Sequence, residues 1–148
     1  MRTIILFCIV WIPVFCYAQQ SFLELDSVFI GGAKMIDQGR RENALSCLWQ
    51  KRRNEMVYLT PYEARAYSIN GTVYVARDIE INGNEGRFFL ERMAHGDLTL
   101  YYFKNKGNHY FIENDSAFMK LTKRNEYGKK HYKETLHSLC ADCEYTNN

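Results

Sequence analysis

The sequence lacks a strong charge of either sign. Its 148 residues carry 19 Lys plus Arg against 17 Asp plus Glu, a net of +2. That excludes the dense positive face by which nucleic-acid binders displace counterions. It also lacks a long apolar run beyond its N-terminal end. No stretch after Ala18 approaches the ~20 apolar residues of a membrane-spanning helix. Cysteine is scarce: of five, Cys8 and Cys16 fall within the first eighteen residues. Cys47, Cys140 and Cys143 are too few for a disulfide scaffold, so an apolar core must hold the fold. There is no internal repeat, no linker, no low-complexity segment and no G-x-S-x-G nucleophile signature. What remains is ordinary globular composition, 47% hydrophobic and 24% charged, which argues against disorder.

The N-terminus has the three parts of a secretory signal peptide. Met1-Arg2-Thr3 is a short basic start, and Ile4 to Val14 is an almost unbroken apolar run. Cys16 and Ala18 then supply small residues at the −3 and −1 positions of a cut after Ala18. Gln19-Gln20 follows, not the basic residues of a stop-transfer anchor. Phe7 before Cys8 and Phe15 before Cys16 spoil both positions for lipoprotein processing. The expected division is a signal peptide over 1–18, a β-rich domain over 19–124 and a C-terminal helix over 125–148. Loss of Arg2 with the leader takes the net charge to +1. An exported protein with three remaining cysteines has at least one that is free or paired between molecules. The expected location is secreted, periplasmic or at the cell surface.

Turn residues recur at short intervals, and the pieces between them alternate as strands do. Asn70-Gly71 is a two-residue hairpin signal. Asn82 to Gly86 marks a longer turn, and His95-Gly96-Asp97, Lys104 to Asn108 and Asn114-Asp115 mark three more. Val73, Val75, Ile79 and Ile81 share one face, with Tyr74, Asp78 and Glu80 opposite. Arg77 interrupts the apolar face, which predicts a bulge or an edge there. Phe88 to Met93, Leu98 to Phe103, His109 to Glu113 and Ala117 to Leu121 read as further strands. Upstream, Ala44 to Trp49 and Glu55 to Leu59 form a hairpin around Gln50 to Asn54. Thr60 is placed to cap one helical turn before the Ala64 to Ile69 strand. Val28 to Ile36 holds one or two strands more. About eight short antiparallel strands predict a mainly β sandwich or small barrel. The tail changes period: Tyr132, Leu136, Leu139, Cys140 and Cys143 recur at helical spacing, predicting one amphipathic helix docked on the β unit.

Five strings carry a likeness. They are Leu59-Thr60-Pro61-Tyr62-Glu63-Ala64, Tyr67-Ser68-Ile69-Asn70-Gly71, Phe89-Leu90-Glu91, His95 to Tyr102 and Tyr110-Phe111-Ile112-Glu113. Together they resemble a family of secreted Bacteroidota proteins of unknown function. In that family a YTP-x-x-I turn precedes a strand, an L-x-x-G-x-x-x-LYY hairpin leads to a YFI-E strand, and a terminal L…DC helix often follows. Leu139 and Asp142-Cys143 would be that last element. The resemblance spans about Val28 to Cys143 and rests on packing and turn residues. Family members often continue past this cysteine, sometimes into an outer-membrane barrel or a partner cysteine, so the resemblance implies no obvious partner for Cys143 here. The resemblance implies an exported β module and brings no catalytic residues with it.

Several constellations have a functional and a plainer reading. His137-x2-Cys140-x2-Cys143 has zinc-ligand residue types, but a structural site takes four ligands and the fourth is not visible. The pair sits at the helix C-terminal end, where the dipole does not lower a thiol pKa. Packing cysteines, or a disulfide involving Cys47, is the simpler reading. His95, His109, His131 and His137 accompany no nucleophile motif. Asp78 and Glu80 on one strand face lie ~7 Å apart by strand rise, a separation glycosidase carboxylates use and solvated strands also show. The basic run Lys51-Arg52-Arg53 with Lys120, Lys123, Arg124, Lys129 and Lys130 fits an anionic patch, and equally a charged hairpin tip and a solvated helix face. Tyr101, Phe103, Phe111 and Phe118 need a cover, expected within the protein itself. Ser27 and Ser116, each between Asp and a small apolar residue, resemble a short O-glycosylation acceptor.

No converging set of titratable groups is evident, so no catalytic, metal or cofactor-binding residue is assigned. The reading is an exported, non-catalytic β-rich binding or assembly module of the envelope, engaging an envelope protein or glycan. The alternatives are a small hydrolase or glycan-active enzyme built from His95, His109, Asp78 and Glu80, or a thiol or metal protein centred on Cys140 and Cys143.

Overall fold

A computed structural model describes residues 20–121. The proposed leader and the C-terminal helix, with Cys140 and Cys143, lie outside the described residues. Eleven strands form two antiparallel sheets. They are β1 (Phe22–Leu25), β2 (Phe29–Gly31), β3 (Lys34–Ile36), β4 (Cys47–Gln50), β5 (Met56–Leu59), β6 (Ala64–Ile69), β7 (Thr72–Ile81), β8 (Asn84–Ala94), β9 (Thr99–Lys104), β10 (Asn108–Glu113) and β11 (Phe118–Leu121). One short helical turn, α1 (Arg40–Asn43), joins β3 to β4. The large sheet runs β11-β10-β9-β8-β7-β6-β1-β2, and the small one β3-β4-β5. The large sheet is open, with β11 and β2 at its edges, and so is not a closed barrel.

The hairpins follow their turn chemistry. Asn70 and Gly71 have φ of 51° and 79°, the left-handed pair of a type I′ turn whose twist matches the strands. Asn82 and Gly83 repeat it at 52° and 78°, and Ile81 pairs directly with Asn84. The turn expected over 82–86 is therefore a tight one. Asn84 to Gly86 already belong to β8, because Asn-Gly closes a hairpin in two residues. Thr60 to Glu63 make a single turn, with the cap reversed. The Glu63 carboxylate accepts from the Thr60 backbone N and Oγ1, both at 2.8 Å. These bonds hold the Glu63 carboxyl below its usual range, the backbone bond most of all.

The small sheet lies on one face of the large one. Leu23, Met35, Cys47, Tyr67, Tyr74, Ala76 and Phe89 form the core between them. Tyr67 stacks on Tyr74 with ring centroids 4.9 Å apart and meets Phe89 edge-on at 5.0 Å. Phe89 is fully buried, and removing such a ring from water stabilises the fold by about 1.5–3 kcal/mol. The Tyr67 hydroxyl donates to the Asn43 carbonyl at 2.7 Å, which satisfies it inside this core. The connection through α1 is held by polar groups. Asp37 Oδ1 accepts from Gly39 N and Asn43 Nδ2, and Asn43 Oδ1 accepts from Gln38 N. The Gly39 and Asn43 bonds lower the Asp37 pKa despite its partial burial. Beyond α1, the Ala44 carbonyl accepts from Phe89 N at 3.0 Å, tying the connection to β8.

The opposite face of the large sheet is concave. Ile79, Ile81, Leu90, Tyr101, Phe103 and Phe111 are buried there, with Val75, Phe88 and Phe118 packed against them. Phe111 and Phe118 stack with centroids 5.4 Å apart. The curl of β7 and β8 over β9 to β11 thus supplies the cover that these aromatics need.

Candidate functional site

The concave face is shaped by one cross-sheet contact. Arg77 stands at the middle of β7, and Glu113 ends β10. Two strands, β8 and β9, separate them. In a flat sheet three strand spacings amount to ~14 Å, and side chains that stand off the face of the sheet do not reach across that distance. Yet Arg77 Nη2 lies 2.8 Å from Glu113 Oε2, and Nε lies 3.1 Å from Oε1. The sheet must coil to bring them together. No bulge occurs at Arg77, because the pairing of β7 with β8 runs unshifted from Val73↔Arg92 to Ile81↔Asn84. The ladder to β6 ends at Ala66↔Val75, so Arg77 does stand where β7 has a free edge on that side. The break in apolar pattern at Arg77 marks an ion pair, not a backbone irregularity. The register shifts lie elsewhere, after Glu24 and after Arg92.

Tyr101 completes the cluster from β9, between the two. Arg77 Nη2 donates to its hydroxyl at 3.1 Å, and that hydroxyl donates to Glu113 Oε2. Arg77 also lies over the Tyr101 ring, 5.4 Å from its centroid. The titration properties follow. Burial opposes the charge on Glu113, but the bonds from Arg77 and Tyr101 outweigh it and hold the pKa below the usual value. Burial likewise opposes the charge on Arg77, and the Glu113 bond reverses that, so its pKa is raised. Burial, with the Glu113 bond second, pushes the Tyr101 hydroxyl up to about 12. At neutral pH the three are locked as cation, neutral phenol and anion.

Beside this cluster the concave face opens into a cleft of about 430 Å³. Its floor is Ala66, Val73 and Val75, with Arg92 and Tyr101 next to them. Phe22 and Glu24 of β1 line it on one side, and the turns carrying His95-Gly96-Asp97 and Asn114-Asp115 on another. His95 Nδ1 lies 3.0 Å from Thr99 Oγ1, which fixes its ring at the β8–β9 turn. Asn114 Oδ1 accepts from the backbone N of Ser116 and Ala117, which shapes the second turn. Arg92 is half-buried and has no carboxylate partner among the described residues.

The residues singled out in the sequence are spread over both faces. His95 lines the cleft. His109 sits at the β9–β10 turn, its Nε2 3.1 Å from the Asn105 carbonyl. Asp78 and Glu80 project from the opposite face of β7, where Asp78 pairs with Arg87 at 2.7 Å. Asp78 borders a different hollow, also about 430 Å³, with Tyr62 and Glu85. The structure does not bring these four together. Cys47 is buried between the sheets without a disulfide partner among the described residues. Burial pushes its thiol up to about 12, which removes the thiolate needed for nucleophilic or metal chemistry. Among the described residues no group of three or more His, Cys, Asp or Glu could hold a metal ion. Lys51, Arg52 and Arg53 form the tip between β4 and β5, and Ser27 and Ser116 are exposed in turns.

Arg77, Tyr101, Glu113 and Arg92 were not marked as a group by spacing. The available signal was Arg77 itself: a charge on the apolar face of a central strand requires a partner. No family model, no curated protein and no solved structure matches the chain.

Proposed function

We propose that this protein is an exported, non-catalytic module of the bacterial envelope that binds its partner, an envelope protein or glycan, in the concave cleft. The observation that carries this reading is the cleft's combination of shape and locked charge. It is open, of small-ligand size, and lined by both apolar and hydrogen-bonding side chains. Its best-formed polar cluster is held away from the protonation states that acid–base catalysis uses. A general acid or base works best with a pKa near the ambient pH. Glu113 is displaced downward by the bonds from Arg77 and Tyr101, and Tyr101 upward by burial and then by its bond to Glu113. Such groups present fixed donors and acceptors, which suits recognition. The signal-peptide pattern over 1–18 and the resemblance to secreted Bacteroidota proteins support export.

The test is affinity capture from envelope extract, using protein purified from cells expressing the full chain. Val73→Trp serves as the paired variant, because it fills the cleft from its floor and leaves Arg77 and Glu113 in place. The expected result is a protein or glycan retained by the parent and lost by the folded variant. Equal retention by both, or none by either, overturns the reading.

A further inference from the structure

We infer that the cleft binds a small zwitterion, an amino acid or a dipeptide, with its carboxylate on Arg92 and its ammonium group near Asp97 and Asp115. This rests on the reading of the cleft as a binding site and assigns that site a small zwitterionic ligand in place of a whole protein or glycan. Arg92 lies on the cleft floor between Val73 of β7 and Tyr101 of β9. The residue is half-buried, and its guanidinium has no carboxylate within ion-pair distance among the described residues. Arg77, the other guanidinium of the cleft, is occupied by both oxygens of Glu113. A guanidinium without a carboxylate partner is a fork for a planar, two-oxygen anion, and a carboxylate matches it in geometry and charge.

The remaining charges decide what else the ligand carries. Four carboxylates line the cleft, Glu24, Asp97, Glu113 and Asp115, against the two guanidiniums. With Arg77 and Glu113 cancelling each other, Arg92 faces three acids. A dianion such as a phosphate monoester is repelled by that excess. A simple cation satisfies the acids and leaves Arg92 unmet. A ligand bearing one carboxylate and one ammonium group satisfies both. Asp97 and Asp115 are exposed on the two turns at the mouth, and Arg92 lies deeper, so the charges are separated within one hollow. A volume of about 430 Å³ is within the range of small-ligand sites.

Isothermal titration calorimetry of the purified full-chain product tests this. The probes are alanine, the dipeptide Ala-Ala, its C-terminal amide and its N-acetyl derivative. Ala-Ala is expected to bind, and each derivative at least tenfold more weakly. Arg92→Gln should weaken Ala-Ala binding at least tenfold and leave the amide's affinity unchanged. Asp97→Asn combined with Asp115→Asn should erase the preference for a free amine. Matching urea midpoints show that the variants are folded. Alanine binding as tightly as Ala-Ala assigns the site to free amino acids, and a clear preference for Ala-Ala assigns it to dipeptides. Binding that ignores both end groups, or survives Arg92→Gln, overturns the inference. So does the absence of heat with both zwitterions at millimolar concentration. If that happens while envelope capture stays sensitive to Val73→Trp, only the ligand class is wrong. If capture is insensitive too, the binding-site reading falls with it.

Discussion

Replacing Glu113 by Gln removes one charge and almost no volume, so it isolates what holds the large sheet in its coiled form. In the parent, both carboxylate oxygens take bonds from Arg77, and one also accepts from Tyr101. The side chains are 32% exposed for Arg77 and 27% for Glu113, between a surface pair and a buried one. Exposed pairs contribute about 0–1 kcal/mol, and breaking a fully buried pair costs about 3–5 kcal/mol. The intermediate exposure, with a guanidinium left facing a neutral amide, places the loss at about 2 kcal/mol. Urea denaturation at pH 7 measures it. The pH dependence supplies a second check. The Glu113 pKa is lower in the folded protein than the ~4.3 of an unfolded chain. Its contribution is therefore complete above the unfolded value and is lost as pH falls through the folded one. Parent and variant should converge in the acid limb and stay separated near neutrality. A difference below ~0.5 kcal/mol at pH 7, or one that does not narrow in acid, would refute the clamp.

Three further outcomes follow from the packing. Asn43→Ala leaves Gln38 N without its acceptor and Asp37 without one donor, and should cost about 1–3 kcal/mol in urea denaturation. Phe89→Ala opens a cavity between the sheets and should cost about 3–5 kcal/mol, read as a drop in the thermal midpoint. Peptide mapping after iodoacetamide at pH 8 should find Cys47 unmodified in the native protein and modified in urea, because burial raises its thiol pKa to about 12.

Much of the architecture was legible because it is local. Asn70-Gly71 dictates its own hairpin, and the alternation of Val75, Ile79 and Ile81 does place one face of β7 against a core, while Val73 on the same face lines the cleft. The two elements that escaped notice, β1 and α1, are four residues each, too short for either period to register. Arg77 was visible as an exception, and the edge expected there is present, but its ion pair was not legible. A strand pattern records which side a residue faces, whereas its meaning depended on Glu113, thirty-six positions away and three strands over. The coil that joins them is a property of the whole sheet. Arg92 is similar: its spacing is ordinary, and only the assembled cleft leaves it without a carboxylate. The histidines and Asp78 and Glu80 drew attention by residue type, yet they fall on separate faces and turns.

Amide hydrogen exchange, with and without the material that the protein retains from envelope extract, tests the central claim most directly. The account predicts new protection in β7, in the His95 to Thr99 turn and in the Glu113 to Asp115 turn. Protection confined to the Met56–Leu59 edge of the small sheet, with the concave face unchanged, would contradict it.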